Sequence, residues 1–317
     1  MARTSIKISV VGAGFVGATI AYTLMMKGVA SNLTLVDVDQ RRAEGEAMDI
    51  AHGAPFAKVA SIHAGSYADT AGSDLVIIAA GTGQRPGESR LDLIARNASI
   101  MRSAAGETAR HSPEAILLVV ANPVDVMSYV AQRASGFPAG RVIGSGTVLD
   151  SSRFRYLLAR RFGGLDPRNI HGYILGEHGD SEFPAWSLVN VAGMAVGEAA
   201  ETFGVPFDES AREAVAREVR EAAYDIIERK KATYYGIGMA ASRITEALVR
   251  DEHAIMSVSV LLQGQYGLDD VYLSLPAVLG QRGVARILSP RLDEAEVGLL
   301  RRSAELLQTA QAGLAAA

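Results

Sequence analysis

Five short apolar runs in the first half of the chain constrain its fold more than any other feature. They are Ile6–Val11, Leu33–Val38, Leu75–Ala80, Ile116–Ala121 and Val142–Ser145. Each is apolar almost throughout instead of alternating, as a strand covered on both faces must be. Segments of helical length lie between most of them, which predicts repeated βαβ units and a doubly wound parallel sheet. The second half reads differently. Strands are expected at Asn169–Leu175, Met256–Leu262, Val271–Leu275 and Ala285–Leu288, with long helical stretches at Glu209–Lys231 and Asp293–Gln311. Strands that cluster in this way predict a mixed α+β unit. The chain's 317 residues suit two such domains. The boundary is expected near Gly144–Thr147, giving 1–145 and 146–317, packed closely because no Ser/Pro-rich linker separates them.

The first run leads directly into Gly12-Ala13-Gly14-Phe15-Val16-Gly17 and then into a helical segment. Gly12 suits a tight turn, Gly14 a close backbone approach by a ligand, and Gly17 close packing of helix on sheet. The helix N-terminus beyond offers unpaired N–H groups to an anion. Such a glycine pattern is weak evidence alone. Here Asp37 follows Gly17 by 20 residues at the end of the second strand, where an acid can accept both hydroxyls of a ribose. Strand, turn, helix and acid in register point to a Rossmann fold holding NAD, with Gly12, Gly14, Phe15, Val16, Gly17 and Asp37 around the cofactor. Arg41 and Arg42 lie close enough to leave the NAD-over-NADP preference open.

Candidate chemistry sits at three further places. His178, one of six histidines, lies in Gly176-Glu177-His178-Gly179-Asp180-Ser181 after an expected strand, and histidine suits reversible proton transfer near neutral pH. Asp150 and Arg153 are three apart at an expected helix start, so they share a face. A carboxylate there could orient an imidazole. An arginine could hold a substrate carboxylate by two parallel hydrogen bonds. An ordinary surface Asp–Arg pair reads the same. The loop Gly81–Arg90 begins where ligands bind in open α/β sheets, and its three glycines and one proline suit a lid that carries Arg90. Asn122, before Pro123, ends another strand on the same edge.

Composition narrows the field. There are no cysteines, so disulfides, thiolate metal sites and cysteine nucleophiles are excluded, and no metal site is expected. A net charge of −4 argues against nucleic-acid partners. No apolar run reaches the roughly 18 residues of a membrane span, and the N-terminus does not read as a signal peptide. A cytoplasmic protein is expected.

In combination, the PGESR loop, VANPVD, LDSSRFR and GEHGDS, met along the chain in the expected order and spacing, resemble the L-lactate/malate dehydrogenase family. The resemblance implies an NAD-binding Rossmann domain at 1–145 and a catalytic and oligomerisation domain at 146–317. It implies that His178 exchanges the proton, Asp150 orients it, Arg153 clamps the substrate carboxylate and Arg90 polarises the carbonyl after lid closure. Asn122 would contact substrate or cofactor, and Thr233 would line the substrate pocket. The implied reaction is reversible, NADH-dependent reduction of a small 2-keto acid.

Within that family the position occupied by Gln84 looks decisive. Malate dehydrogenases carry an arginine there for the second carboxylate of oxaloacetate. A neutral glutamine leaves that carboxylate without a counter-charge, at a cost on the order of several kcal/mol in a closed site. Gln84 therefore favours pyruvate and (S)-lactate. Arg85 is the complication, since a different loop register would bring it inward and make malate dehydrogenase the alternative. A bulkier 2-keto acid also remains open. A non-catalytic NAD-sensing protein would need the chemical residues to have decayed, and they are all present. A flavin enzyme fits the short glycine turn with Asp37 less well. Arg155 and His171 match the arginine and histidine with which many bacterial members bind fructose 1,6-bisphosphate, so an allosteric homotetramer is expected; ordinary interface residues are the equal alternative.

Overall fold

The computed structural model describes residues 5–58, 61–83 and 90–315. Its first half supplies β1 (Lys7–Val11), α1 (Phe15–Lys27), β2 (Asn32–Val36), α2 (Gln40–Gly53), β3 (Ser61–Gly65), β4 (Leu75–Ile78), α3 (Arg90–His111), β5 (Ile116–Val119), α4 (Val124–Ser135) and β6 (Val142–Gly144). The six strands are parallel in the order β3-β2-β1-β4-β5-β6. Strand order therefore reverses between β1 and β4, which opens a crevice at their C-terminal ends. The β1, β4 and β5 backbones are sheathed on both faces, and Ile8, Leu75, Ile77, Ile78, Leu117 and Leu118 are fully buried.

The second half supplies α5 (Val148–Arg161), β7 (Ile170–His171), β8 (Ile174–Leu175), β9 (Phe183–Pro184), β10 (Asn190–Val191), β11 (Met194–Ala195) and α6 (Val196–Thr202). It continues with α7 (Glu209–Lys230), α8 (Tyr235–Val249), β12 (Ala254–Gln263), β13 (Asp269–Gly280), β14 (Gly283–Ile287) and α9 (Glu294–Ala315). The last three strands form an antiparallel meander that joins the main sheet, with Ser259 of β12 opposite Gly144 of β6. Among the described residues the central sheet thus has nine strands, and it runs through the expected boundary near 144–147. The meander covers the edge that β6 would otherwise expose. A smaller apolar cluster around Phe154, Leu158, Phe162, Ile170 and Val215 packs α5 against α7 and the short strands. Fully burying each such side chain contributes about 1.5–3 kcal/mol. Among the described residues no helix is long and apolar enough to cross a membrane.

One expected element is corrected and one strand was not expected. Asn169–Leu175 is two strands in different sheets. Ile170–His171 pairs with Asn190–Val191, and Ile174–Leu175 pairs with Phe183–Pro184. The chain divides at Gly172, where a Cβ would lie 2.9 Å from the Phe154 ring. The sheet's outer strand, β3, carried no apolar signal, because Ser-Ile-His-Ala-Gly is mostly half-exposed at an edge.

Candidate active site

The turn after β1 is built by contact. Gly12 has φ +100° and donates its N–H to the Val36 carbonyl at 2.7 Å. A Cβ on Gly17 would fall 1.8 Å from the Gly12 carbonyl oxygen, so nothing larger fits where α1 crosses the turn. Gly14 differs, since a Cβ there would meet only Arg42 Nη2 at 3.9 Å, and the space before the first turn of α1 is open. That turn carries no acidic side chain, and its N-cap Gly14 makes no side-chain cap, so its amides face this space. Asp37 stands beside it, accepting from Ala13 N–H at 2.6 Å and Asp39 N–H at 2.9 Å. Phe15 is exposed at the rim and stacks on Tyr234 at 5.4 Å, while Val16 is half-buried behind it. An open amide-lined cradle with a fixed carboxylate beside it fits the pyrophosphate and one ribose of a dinucleotide.

The chemical residues meet in a cleft of about 350 Å³ next to this crevice. Thr82, Asn97, Asn122, Asp150, Arg153, His178 and Glu182 are among those lining it. Buried hydroxyls set Asp150 against His178. Thr147 Oγ1 donates to the Ile174 carbonyl at 2.5 Å, and Ser151 Oγ accepts from Ile174 N–H at 2.9 Å. These bonds fasten the first turn of α5 to β8, and the chain continues from β8 into the histidine loop. His178 Nδ1 then lies 2.7 Å from Asp150 Oδ2, and Arg153 donates to Asp150 Oδ1 at 2.6 Å. The Asp150 side chain is 2 % exposed and the His178 ring 26 %.

The electrostatics follow from this geometry. Burial opposes charge on His178, but Asp150, by charge and hydrogen bond, with Glu182 and Asp125 further off, pushes its pKa up to about 9. Burial likewise works against the Asp150 carboxylate, yet His178 and Arg153 hold its pKa below the ordinary value. The site therefore holds an imidazolium at neutral pH, with Nδ1 committed to Asp150 and, among the described residues, no hydrogen bond at Nε2. Such a group donates a proton to a developing alkoxide and can take it back.

Sequence reasoning passed over two buried acids. Asp125, in the first turn of α4, accepts from His178 N–H at 2.8 Å and from Ser259 Oγ at 2.5 Å. Burial pushes its pKa up to about 6 despite those bonds. Glu182 Oε2 lies 4.0 Å from His178 Nδ1. Burial and the neighbouring Asp150 push Glu182 up to about 8. The one available signal was its position four residues beyond His178. Asn97 was also missed; its amide bridges the Thr82 and Asn122 carbonyls at 3.1 and 2.9 Å, tying the ends of two strands together.

Other expected residues lie elsewhere. Gln84 and Arg85 fall outside the described residues; Arg90 opens α3. Thr233 is half-buried between α7 and α8 and is not among the residues lining the cleft, although its neighbour Tyr234 touches Phe15. Arg155 is half-buried on α5, its Nε donating to the Ser151 carbonyl at 3.1 Å. His171 is exposed on β7, with no hydrogen bond to Arg155 among the described residues.

Comparison with known proteins identifies the family. Residues 6–144 match the lactate/malate dehydrogenase NAD-binding domain, and residues 147–316 match the same family's alpha/beta C-terminal domain. An L-lactate dehydrogenase of Thermoanaerobacter sp. is 50 % identical over 303 residues, covering 96 % of this chain and 97 % of that one. L-lactate dehydrogenase 1 of Clostridium acetobutylicum is 51 % identical over 306 residues, with the same coverage. The crystal structure of a lactate dehydrogenase from a Medee basin deep-sea metagenome library superposes with a TM-score of 0.95 at 45 % identity, covering 98 % of this chain and 99 % of that one. Dinucleotide cradle, charged histidine and cleft are all formed by one chain, and that chain belongs to the lactate/malate dehydrogenase family, as an NAD-dependent enzyme of the lactate dehydrogenase kind.

Proposed function

We propose that this enzyme reduces pyruvate to (S)-lactate, reversibly, with His178 as the proton donor. The observation that carries the reading is the His178–Asp150–Arg153 chain of hydrogen bonds facing the cleft beside the dinucleotide cradle. Gly12, Gly14, Phe15, Val16 and Gly17 would hold the cofactor's pyrophosphate region and Asp37 its ribose; when bound, the nicotinamide supplies the hydride. Arg153 keeps one N–H on Asp150 and presents the rest of its guanidinium to the substrate carboxylate. His178 gives the Nε2 proton to the carbonyl oxygen as charge develops there, and Asp150 holds the ring's orientation throughout. Oxidation of lactate needs His178 neutral. Arg90 is assigned to polarising the carbonyl, Asn122 to contact with substrate or cofactor, and Gln84 to rejecting a second carboxylate. Thr233 is assigned to the substrate pocket, which requires the α7–α8 connection to approach the cleft. The functional division at 145/146 belongs to the same proposal, as does a cytoplasmic setting.

The test is NADH oxidation by the purified protein with pyruvate, with chiral analysis of the product, alongside His178→Asn. The expected result is (S)-lactate in step with NADH consumed, and a loss of about 10²–10⁴-fold in the variant. No pyruvate-dependent oxidation, or an active His178→Asn protein, overturns the reading. Regulation by fructose 1,6-bisphosphate at Arg155 and His171, in a homotetramer, is a separate proposal supported by the two basic residues. It fails if the sugar bisphosphate changes neither KM for pyruvate nor the sedimentation of the protein.

A further inference from the structure

Glu182 has an environment that the proton-transfer scheme leaves unused. Its side chain is 5 % exposed, yet among the described residues no hydrogen bond to its carboxylate is found. It lines the substrate cleft and also the larger cavity, of about 1130 Å³, between α7 and α9, so it stands in the wall between them. One carboxylate oxygen each of Glu182 and Asp150 and one ring nitrogen of His178 all lie within 4.8 Å of one another. The charged groups facing it come from several elements: Asp150 and Arg153 from α5, His178 from its own loop and Arg220 from α7. Asp125 from α4 acts on the same histidine and accepts its backbone N–H.

A buried carboxyl in that position has two states with different consequences. Beside an ionised Asp150, two carboxylates repel, and Glu182 keeps its proton into the neutral range. Once it ionises at alkaline pH, it places a second negative charge 4.0 Å from the imidazolium nitrogen. Arg153 and Arg220 offset part of the added charge. We infer that Glu182 is a positioning residue for charge, a second counter-carboxylate for the His178–Asp150 pair that extends to higher pH the range in which His178 retains the proton for carbonyl reduction. The inference rests on His178 being the proton donor and adds a residue to that assignment.

The test is the pH dependence of kcat/KM for pyruvate reduction between pH 6 and 10 in the wild type and in Glu182→Gln, which keeps shape and removes the charge. An opposite charge within about 4–6 Å typically moves a pKa by 1–3 units, and the arginines place the effect at the low end, so the alkaline midpoint should fall by about one unit in the variant. The ratio of rates at pH 9 and pH 6.5 then drops roughly fivefold against the wild type. Equal midpoints in the two proteins overturn the inference. A merely structural role lowers the rate at every pH without moving the midpoint, and that outcome also overturns it. If Glu182→Gln fails to fold, Glu182→Asp withdraws the carboxylate by one methylene and should move the midpoint in the same direction by less. If the wild type itself shows no alkaline limb, the assignment of His178 fails instead, so the two failures are distinguishable.

Discussion

Replacing Asp150 by asparagine should cost this enzyme its alkaline range. In the wild type the buried carboxylate holds His178 Nδ1 at 2.7 Å and is the main reason the imidazole rises from 6.5 to about 9. That rise of about 2.5 units corresponds to roughly 3 kcal/mol favouring the imidazolium. With the ring 26 % exposed and the carboxylate 2 %, solvent screening removes little of it. Because the folded state holds the extra proton, this stabilisation is present in full below about pH 6.5 and is lost as pH rises through about 9. The side-chain amide introduced by Asp150→Asn can still accept from Nδ1–H but brings no charge, so the midpoint should return to about 6.5 or below. At pH 8 the protonated fraction then falls from about nine-tenths to about 3 %, a loss of roughly 30-fold in pyruvate reduction. The assay is kcat/KM for pyruvate across pH 5.5–9.5, with thermal melting as the check on folding. A variant whose midpoint stays within about half a unit of the wild type would refute the reasoning, since Asp150 would then orient the ring without charging it.

Three further outcomes follow from the geometry. Gly17→Ala drives a Cβ to 1.8 Å from a backbone oxygen and should cost more than about 3 kcal/mol, lowering Tm by at least about 6 °C, whereas Gly14→Ala meets open space and should melt within about 2 °C of the wild type while weakening NADH binding about tenfold; calorimetry and NADH titration check both. Arg153→Lys removes the planar fork that donates to Asp150 and is proposed to hold the substrate carboxylate, and should raise KM for pyruvate by about 10–100-fold at pH 7; an unchanged KM would place the carboxylate elsewhere.

What the sequence made legible was local. The apolar runs marked strands because burial on both faces leaves a continuous signal, and the Gly12–Gly17 turn is a short-range device whose parts are adjacent in the chain, with Asp37 at a fixed distance of 20 residues beyond it. His178, Asp150 and Arg153 emerged from residue type, and family resemblance supplied their pairing. What escaped depended on contacts between distant segments. Asp125 reaches the His178 backbone across 53 residues and Ser259 across 134, and nothing around Pro123-Val124-Asp125 announces either bond. The meander joins the central sheet through Ser259 opposite Gly144, a pairing that no local pattern specifies. The break at Gly172 depends on the Phe154 ring behind it. β3 was lost because an edge strand needs no apolar run.

The most direct test of the whole account compares kcat/KM for pyruvate and oxaloacetate in the wild type and in Gln84→Arg, with NADH as the reductant. If Gln84 takes the proposed place opposite the second carboxylate of oxaloacetate, that carboxylate has no counter-charge, so the wild type should prefer pyruvate by about 100-fold or more, and the arginine should cut that ratio sharply or reverse it. A wild type that prefers oxaloacetate would contradict the account, placing Arg85 against the substrate and making the enzyme a malate dehydrogenase.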